Sequence, residues 1–289
     1  MKVAVARLFQ DHRRDFESNR YVYAVISRRS HGLSIGINLN PDKACNFDCV
    51  YCQVDRRTPP VVRRVDLPRL RQELEAMLEL AASGAIFQHP RFCSTPAAFR
   101  RWNDIAFSGD GEPTAAKEFL EAVQLVCELK QAHGLNGIKI LVLTNATLLH
   151  RPRVQQALRL LDAHQGEIWA KLDAGTPAYY HLIERTQVPF ERVLANLKLT
   201  AQQRPIVIQS LFLRWQGEAP SDAEIHAYCD RLNEIVESGG QIRLVQVYTV
   251  ARTPAEPQAL PLSDAEVDRL AELVRQRTGL TVEAYYADH

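Results

Sequence analysis

The sequence predicts an α/β protein built as a partial barrel of six βα units. Apolar, β-branched runs alternate with amphipathic helical segments from residue 33 to about residue 250. Short apolar runs between helices are typical of parallel strands buried on both faces. Six strand–helix units in series favour a βα array, and six are too few to close an eight-fold barrel. We therefore expect a partial barrel that is open on one side for a large substrate.

The strand candidates share a core of Ile, Val, Leu and Phe and are bounded by polar residues or glycine. They are residues 34–38, 105–108, 138–144, 168–172, 206–212 and 242–248.

The helices between these strands have recognisable ends. Asp66 is placed to cap a helix with Pro68 in its first turn, and this helix runs to Gly84. A helix from about Thr114 ends at Gly134, a residue suited to the left-handed position after a helix. The remaining helical segments are residues 151–163, 190–202 and 221–236.

Two flanking segments differ from this core of residues 33–255. Residues 1–32 are rich in arginine without a clear period and are expected to form a basic N-terminal extension. Residues 256–289 are expected to form a C-terminal helix–strand extension. Its helix begins with the capping-box pattern at Ser263 and Glu266 and ends near Gly279, and residues 280–286 follow as a late strand.

Composition indicates an ordinary globular chain. Of the 289 residues, 46% are hydrophobic and 24% charged, as in typical globular domains. No stretch approaches the roughly 18 uncharged apolar residues of a membrane span, and the first residues lack the apolar core of a signal peptide. We therefore expect a cytoplasmic protein without a membrane partner, and its cysteine usage suits metal binding in a reducing compartment.

The net charge of +1 conceals an asymmetry along the chain. Residues 1–101 carry 17 Lys and Arg against 10 Asp and Glu, whereas the remainder carries 18 against 24. The basic part surrounds the cysteines at 45–52, and such a basic rim would receive a phosphate-bearing substrate or a nucleic acid. The alternative is a solvated surface. The arginine pairs in question are 13–14, 28–29, 56–57, 63–64 and 100–101.

A loop with three cysteines follows the first predicted strand. Cys45, Cys49 and Cys52 stand as Cys-x3-Cys-x2-Cys, and three thiolates on one short loop can hold three irons of a four-iron cluster while the fourth iron stays open. An open iron is where a small molecule is bound and reduced. A zinc site would need a fourth ligand, for which His31 is a candidate although it precedes the strand. The three cysteines by themselves suit either a cluster or a zinc site.

The cysteine loop, with the aromatic Tyr51 directly before its last cysteine, resembles that of the radical S-adenosylmethionine (SAM) superfamily. The resemblance implies a [4Fe–4S] cluster on the three cysteines, SAM chelating the open iron, and Tyr51 against the adenine. One electron, from a donor such as flavodoxin or ferredoxin, then cleaves SAM to methionine and a 5′-deoxyadenosyl radical. The predicted fold is thus a partial (βα)6 radical SAM barrel with N- and C-terminal extensions.

A second motif closes the second predicted strand of the core. Gly109, Asp110, Gly111 and Glu112 resemble the family's Gly-Gly-Glu motif, which binds the amino group of SAM, with Asp110 in place of the second glycine. Glycines let backbone groups approach a ligand closely, and a carboxylate accepts from an ammonium group. A simple tight turn is the alternative interpretation of this segment.

Polar residues end the later predicted strands and are candidates for contact with SAM. In βα barrels such residues line the active site, although capping or anchoring of loops explains them equally well. Lys171 beside Asp173 is the most informative pair, because an ammonium next to a carboxylate can position a ribose or an acid group. The full set is Thr144, Asn145, Lys171, Asp173, Gln209 and Tyr248. No catalytic residue is assigned.

Within the superfamily, the chain looks closest to the group that includes wyosine-base synthase, which modifies tRNA. The segments that carry this likeness are the cysteine loop and residues 38–41, 109–114, 169–176 and 246–252. That enzyme holds a second cluster on cysteines before the radical motif, and here no cysteine precedes Cys45. We therefore carry over the radical chemistry and not the tRNA reaction.

The substrate stays open among an RNA base, a protein side chain, a small metabolite and another anionic partner. A function of another class is a zinc protein that binds nucleic acid through its basic N-terminal third. The cysteines outside the loop do not predict a second cluster. Cys127 and Cys229 share helical faces with apolar residues and are interpreted as core, and Cys93 is left unassigned.

Overall fold

The computed structural model describes residue 14 and residues 16–60 and 62–287. Its main feature is a curled sheet of eight strands in the order β1-β2-β3-β4-β5-β6-β8-β10. Only β1 is antiparallel to its neighbour, and every other pair in this sheet is parallel. Helices on the outer face complete a partial α/β barrel, so the predicted fold class is confirmed.

The strands are β1 (Val22–Ser27), β2 (Gly32–Ile37), β3 (Trp102–Phe107), β4 (Lys139–Thr144), β5 (Gly166–Lys171), β6 (Ile206–Leu211), β7 (Leu213–Trp215), β8 (Ile242–Tyr248), β9 (Ala259–Pro261) and β10 (Val282–Tyr285). The helices are α1 (Leu67–Ala82), α2 (Phe119–Ala132), α3 (Pro152–Asp162), α4 (Pro177–Glu184), α5 (Phe190–Gln203), α6 (Asp222–Glu237) and α7 (Asp264–Thr278). None of these helices is long and apolar enough to cross a membrane.

All six predicted strands form, but the boundaries of the sheet differ from those expected. The predicted N-terminal extension, 1–32, contains β1, which pairs with β2 from Val22↔Ile37 to Ser27↔Gly32. The described part of this segment therefore belongs to the sheet, and residues 1–13 lie outside the described residues. β10, in the predicted C-terminal extension, likewise pairs with β8. Helix α4 and the small β7–β9 pair were not predicted.

Alternation along the strands separates two cores. Residues such as Ile105 and Ile168 face the helices and belong to the large core between sheet and helices. Their neighbours Ala106, Trp169 and Val207 lie on the other face, in a small core inside the barrel. Because side chains alternate along a strand, Lys171, Gln209 and Tyr248 also point inward, near the carboxyl ends of their strands.

The two edges of the curled sheet meet at one point. Arg28, in the turn between β1 and β2, donates to the main-chain carbonyl of Tyr286, which directly follows β10. In the same place the rings of His31 and Tyr285 lie 6.4 Å apart between centroids. The β1–β2 turn therefore bridges part of the open side of the barrel.

Helix caps follow the sequence expectations. The side chain of Asp66 accepts from the backbone N–H of Arg69 at the start of α1. Ser263 and Glu266 form the full capping box of α7, and Gly279 ends that helix in the left-handed conformation, with φ of 69°. Each of these caps satisfies backbone groups that a helix end leaves free.

A buried carboxylate fixes the start of β1. Glu73 of α1 accepts backbone N–H bonds from Arg20 at 2.9 Å and from Tyr21 at 2.8 Å, and it pairs with Arg69 at 2.7 Å. One side chain thus holds the entry to the edge strand against the first helix.

We expect Glu73→Ala to lower the free energy of unfolding by about 3 kcal/mol, because it leaves buried N–H groups without a partner. Urea denaturation measures this change. Glu79→Ala, an exposed position on the same helix, is the matched control and should stay within about 0.5 kcal/mol of the parent. Equal stability of the two variants would show that Glu73 does not anchor β1.

Candidate active site

A cavity of about 290 Å³ lies beside the cysteine loop, within the curled sheet. Its volume is close to the lower end of the range usual for ligand pockets. It is bordered by all three clustered cysteines and by residues that follow or end five of the inner strands. The sequence-predicted residues along it are Cys45, Cys49, Tyr51, Cys52, Gly109, Asp110, Gly111, Glu112, Thr144, Asn145, Lys171, Gln209 and Tyr248.

The cysteine loop has no regular secondary structure and is held by its neighbours. The closest contact is made by Gly111, where an added Cβ would overlap the carbonyl oxygen of Ala44 and the side chain of Asn40. Only glycine therefore lets the loop after β3 lie directly against the backbone that leads into Cys45.

Side chains from the loop after β4 hold the middle of the cysteine loop. Asn145 donates from Nδ2 to Oδ1 of Asn46 at 2.8 Å, and Asn46 donates from its own Nδ2 to the hydroxyl of Thr147 at 2.7 Å. Thr186 donates to the backbone carbonyl of Asn46 at 2.7 Å. The position of Asn46 is thus fixed on both its side chain and its backbone.

The end of α4 holds the second half of the loop. The amide of Asp48 donates to the carbonyl of Glu184 at 3.0 Å, and the amide of Val50 donates to the carbonyl of Ile183 at 2.9 Å. The last carbonyls of a helix lack partners within it, so α4 and the cysteine loop satisfy each other. Arg185 ends α4 in the left-handed conformation, with φ of 46°.

The motif after β3 is fastened to the end of β2. Asn38 accepts from the amide of Asp110 at 3.1 Å and donates to its carboxylate at 2.6 Å. Arg14 forms an ion pair with the other carboxylate oxygen of Asp110. An added Cβ at Gly109 would overlap the side chain of Asn38, so this position also requires glycine. Asp110, which stands where the family has a second glycine, is fully engaged by the protein.

Glu112 is buried, and four donors surround its carboxylate. Oε1 accepts from the backbone and the hydroxyl of Thr114 and from the hydroxyl of Thr144, and Oε2 accepts from the amide of Asn145 at 2.7 Å. Burial raises its pKa, and these hydrogen bonds oppose that change. Glu112 therefore joins the ends of β3 and β4, and Oε2 keeps capacity for a further donor.

Tyr51 of the cysteine loop reaches a buried charge network. Its hydroxyl donates to Asp173 and to Glu184, the latter at 2.9 Å. Lys171 pairs with Asp173 at 2.9 Å and donates to the hydroxyl of Tyr248 at 2.7 Å. The Lys171 ammonium also lies 4.9 Å from the ring centroids of both tyrosines. One ammonium thus lies beside the carboxylate of Asp173 and two aromatic faces.

The same network includes one of the clustered cysteines. The thiol of Cys49 donates to Glu184 at 2.6 Å. Burial and the nearby Glu184 raise the pKa of Cys49 well above its ordinary value, and burial and Asp173 do the same for Glu184. Burial raises the pKa of Cys45 as well. Binding of iron, which needs thiolates, therefore displaces protons from these thiols.

The donor set fits an iron–sulfur cluster. Three half-buried cysteines that are free of disulfides border one cavity. Within the described residues, no three His, Cys, Asp or Glu side chains converge closely enough to hold a single metal ion. A four-iron cluster does not need three side chains on one metal ion, because each of its three thiolates binds a different iron.

A protein-family comparison decides the family. The model described as the Radical SAM superfamily matches residues 39–214, which include the cysteine loop and the strands from β3 to β6. The chain belongs to the Radical SAM superfamily.

Individual proteins similar to this radical SAM chain share less than 30% of their residues with it over the matched segments. A UPF0026 protein of Helicobacter pylori is 27% identical over 147 residues, covering 50% of this chain and 41% of the relative. A UPF0026 protein of Synechocystis is 28% identical over 187 residues, covering 63% and 60%. The matches thus span less than two thirds of these relatives. A crystal structure of archaeal TYW1 is 14% identical with a TM-score of 0.48, covering 94% of this chain and 80% of that one.

The structure gathers most of the predicted site residues and adds several. Asp173 does not border the cavity but lies behind it, bonded to Tyr51 and Lys171. Gln209 borders the cavity and donates to Gln246 at 2.7 Å. Glu184 was missed because its helix was not predicted. One feature of the sequence could have indicated it. Glu184 is an acidic residue at the C-terminal end of a helix, where the helix dipole disfavours negative charge.

We expect Gly111→Ala to reduce the iron retained by reconstituted protein, because the added methyl group pushes the cysteine loop away at a cost of about 1–3 kcal/mol. Iron content per chain is the measurement, with circular dichroism to verify the fold. Gly137→Ala is the control, since no atom lies within 4 Å of a Cβ added there. Full iron content in Gly111→Ala would mean that this contact does not position the loop.

Proposed function

We propose that this chain is a radical SAM enzyme that holds a [4Fe–4S] cluster through Cys45, Cys49 and Cys52 and binds SAM beside it. Reductive cleavage of SAM would give methionine and a 5′-deoxyadenosyl radical that removes a hydrogen atom from a substrate. The observation that carries the proposal is the meeting of the three thiols with Gly111 and Glu112 around one cavity.

The protein's own residues would orient SAM. Glu112 borders the cavity and its Oε2 accepts only one hydrogen bond from the described residues, so this oxygen is available to an ammonium group. Gly109 and Gly111 carry no side chain to block the approach of a ligand to the loop after β3. Tyr51 is locked by its hydrogen bonds to Asp173 and Glu184, which fixes its ring beside the cysteines.

The inner face would complete the binding site. Lys171 is held between the rings of Tyr51 and Tyr248 and paired with Asp173. This pair would orient a polar group of SAM without adding net charge to the cavity. Gln209, Thr144 and Asn145 border the same space, and we propose them as further polar contacts.

The reaction needs an electron from outside the chain. A low-potential donor such as flavodoxin or ferredoxin is the proposed partner. An RNA base is among the candidate substrates.

Replacing Cys45, Cys49 or Cys52 with Ala should abolish iron binding, because each thiolate holds one iron. Cys127→Ala and Cys229→Ala serve as controls. Both residues are buried in the large core, so iron content should stay normal while the free energy of unfolding falls by about 1–3 kcal/mol. Iron and sulfide analysis after anaerobic reconstitution is the measurement. Stoichiometric zinc in colourless parent protein would contradict the cluster.

Dithionite-reduced, reconstituted protein should slowly form 5′-deoxyadenosine from SAM without any added substrate, because the cluster and the SAM-binding residues are sufficient for cleavage. Chromatography of the quenched reaction detects the product. Cys45→Ala protein treated identically is the control and should form none. If parent protein with a full cluster also forms none after many hours, the proposed activity is wrong.

A further inference from the structure

Of the five described arginines that line the cavity, four come from three segments outside the cysteine loop. Arg14 precedes β1, Arg28 and Arg29 lie in the β1–β2 turn, and Arg252 follows β8. Each is partly exposed, so they lie where the cavity opens to solvent. We call these four residues the arginine cluster.

The protein holds this cluster in place. The Arg29 guanidinium lies over the ring of Tyr248, 4.8 Å from its centroid, and Arg14 is paired with Asp110. The backbone carbonyl of Arg252 accepts from the side chain of Gln53 at 3.1 Å. Gln53 directly follows Cys52, so the segment that carries Arg252 is attached to the end of the cysteine loop.

Within the described residues, Arg29 and Arg252 of the cluster form no ion pair with a carboxylate, whereas Arg14 does. Two carboxylates line the cavity within the described residues, those of Asp110 and Glu112. Asp110 is bound by Arg14 and Asn38, and Glu112 is surrounded by threonine and backbone donors.

The pKa of Arg252 responds to burial and to its positive neighbours. It is lowered to about 10, first by burial and then by the positive charges of Arg29, Arg14 and Arg28. Like charges placed together in a half-buried site repel one another unless an anion joins them. The geometry and the charge both favour an anionic ligand at this place.

We propose that the arginine cluster binds a phosphate group of the substrate, leaving the rest of the substrate to extend toward the cysteine loop. Guanidinium groups match phosphate oxygens with paired hydrogen bonds. A phosphate group offers about −1.5 to −2 charge and three strong acceptors, which suits several arginines better than a single carboxylate does. The inference deepens the proposed function and rests on it, since it takes the same cavity as the place of reaction.

Two of the arginine pairs noted in the sequence, 56–57 and 63–64, behave differently from the cluster. Of Arg56, Arg57, Arg63 and Arg64, only Arg56 lines the cavity. Arg56 donates to the carbonyl of Lys43 and lies 3.7 Å from the sulfur of Cys52, so it belongs to the cysteine loop. Arg63 and Arg64 are exposed and lie outside the cavity lining, which makes them a matched control pair.

The test is titration of the full chain with inorganic pyrophosphate by calorimetry, before and after cluster reconstitution. Arg29→Gln/Arg252→Gln should weaken binding by about ten-fold or more through loss of charged hydrogen bonds. Arg63→Gln/Arg64→Gln removes the same charge from the exposed pair and should leave binding unchanged. Failure of the parent protein to bind pyrophosphate at millimolar concentration, or equal weakening by both double variants, would overturn the inference.

A second pair of variants guards against misfolding. Arg29→Lys/Arg252→Lys keeps the charge but removes the planar fork, so pyrophosphate affinity should fall between those of the parent and the Gln variant. Thermal unfolding verifies that all variants are folded. Parent-like affinity in a folded Gln variant would place the anion elsewhere.

Labelled bulk tRNA distinguishes two sources of the phosphate. Displacement of tRNA by pyrophosphate, with weaker and less salt-dependent binding in the Gln variant, would assign the phosphate to a nucleic acid. Pyrophosphate binding that the Gln variant loses, beside tRNA binding that it leaves unchanged, would assign it to a small phosphorylated molecule.

Pyrophosphate binding requires neither cluster nor SAM, and formation of 5′-deoxyadenosine requires no phosphate. A protein that forms 5′-deoxyadenosine but does not bind pyrophosphate would therefore contradict this inference alone. A protein that binds pyrophosphate but forms no 5′-deoxyadenosine would contradict the proposed cleavage of SAM and would leave a phosphate site in the cavity.

Discussion

The close packing of the cysteine loop against its neighbours is the constraint on which the site depends. A loop of this length without secondary structure would sample many conformations, and ordering each residue costs about 1–2 kcal/mol of backbone entropy. The contact of Gly111 with Ala44, the hydrogen bonds to Asn46 and the carbonyls at the end of α4 oppose that cost. They hold the three cysteines beside one cavity.

The curled sheet explains why these contacts come from so many parts of the chain. Parallel strands bring their carboxyl ends to one edge, so the residues after β3, β4 and β5 all meet the cysteine loop, which itself follows β2. Inside the barrel, the small core around Trp169 supports the inward-facing Lys171 and Gln209. The β1–β2 turn then crosses to the residue after β10, which brings Arg28 and Arg29 to the cavity from the far edge.

Charge is distributed unevenly around the cavity. Beside Cys49, the buried carboxylate of Asp173 pairs with the ammonium of Lys171, and the pKa of Glu184 rises because burial and Asp173 both disfavour its charged form. At the opening, Arg29 and Arg252 have no carboxylate partner among the described residues. A buried charge is costly unless it is paired, so the inner network is closed by the protein itself. The arginine cluster at the opening favours a ligand that carries negative charge.

Local rules were enough to predict much of this protein. The six inner strands, the caps at Asp66, Ser263 and Gly279, and the cysteine spacing each depend on residues near one another in sequence. The edge strand β1 was not predicted, because its pairing partner is decided by the geometry of the sheet. Helix α4 was not predicted, because a helix this short shows no clear period of apolar residues. Glu184 lies 135 residues from Cys49 and Arg252 lies far from Arg14, so only folding brings them together. The sequence by itself determined which chemistry the loop can support, and tertiary packing decided which carboxylates and arginines surround it, because those contacts join residues that no local pattern relates.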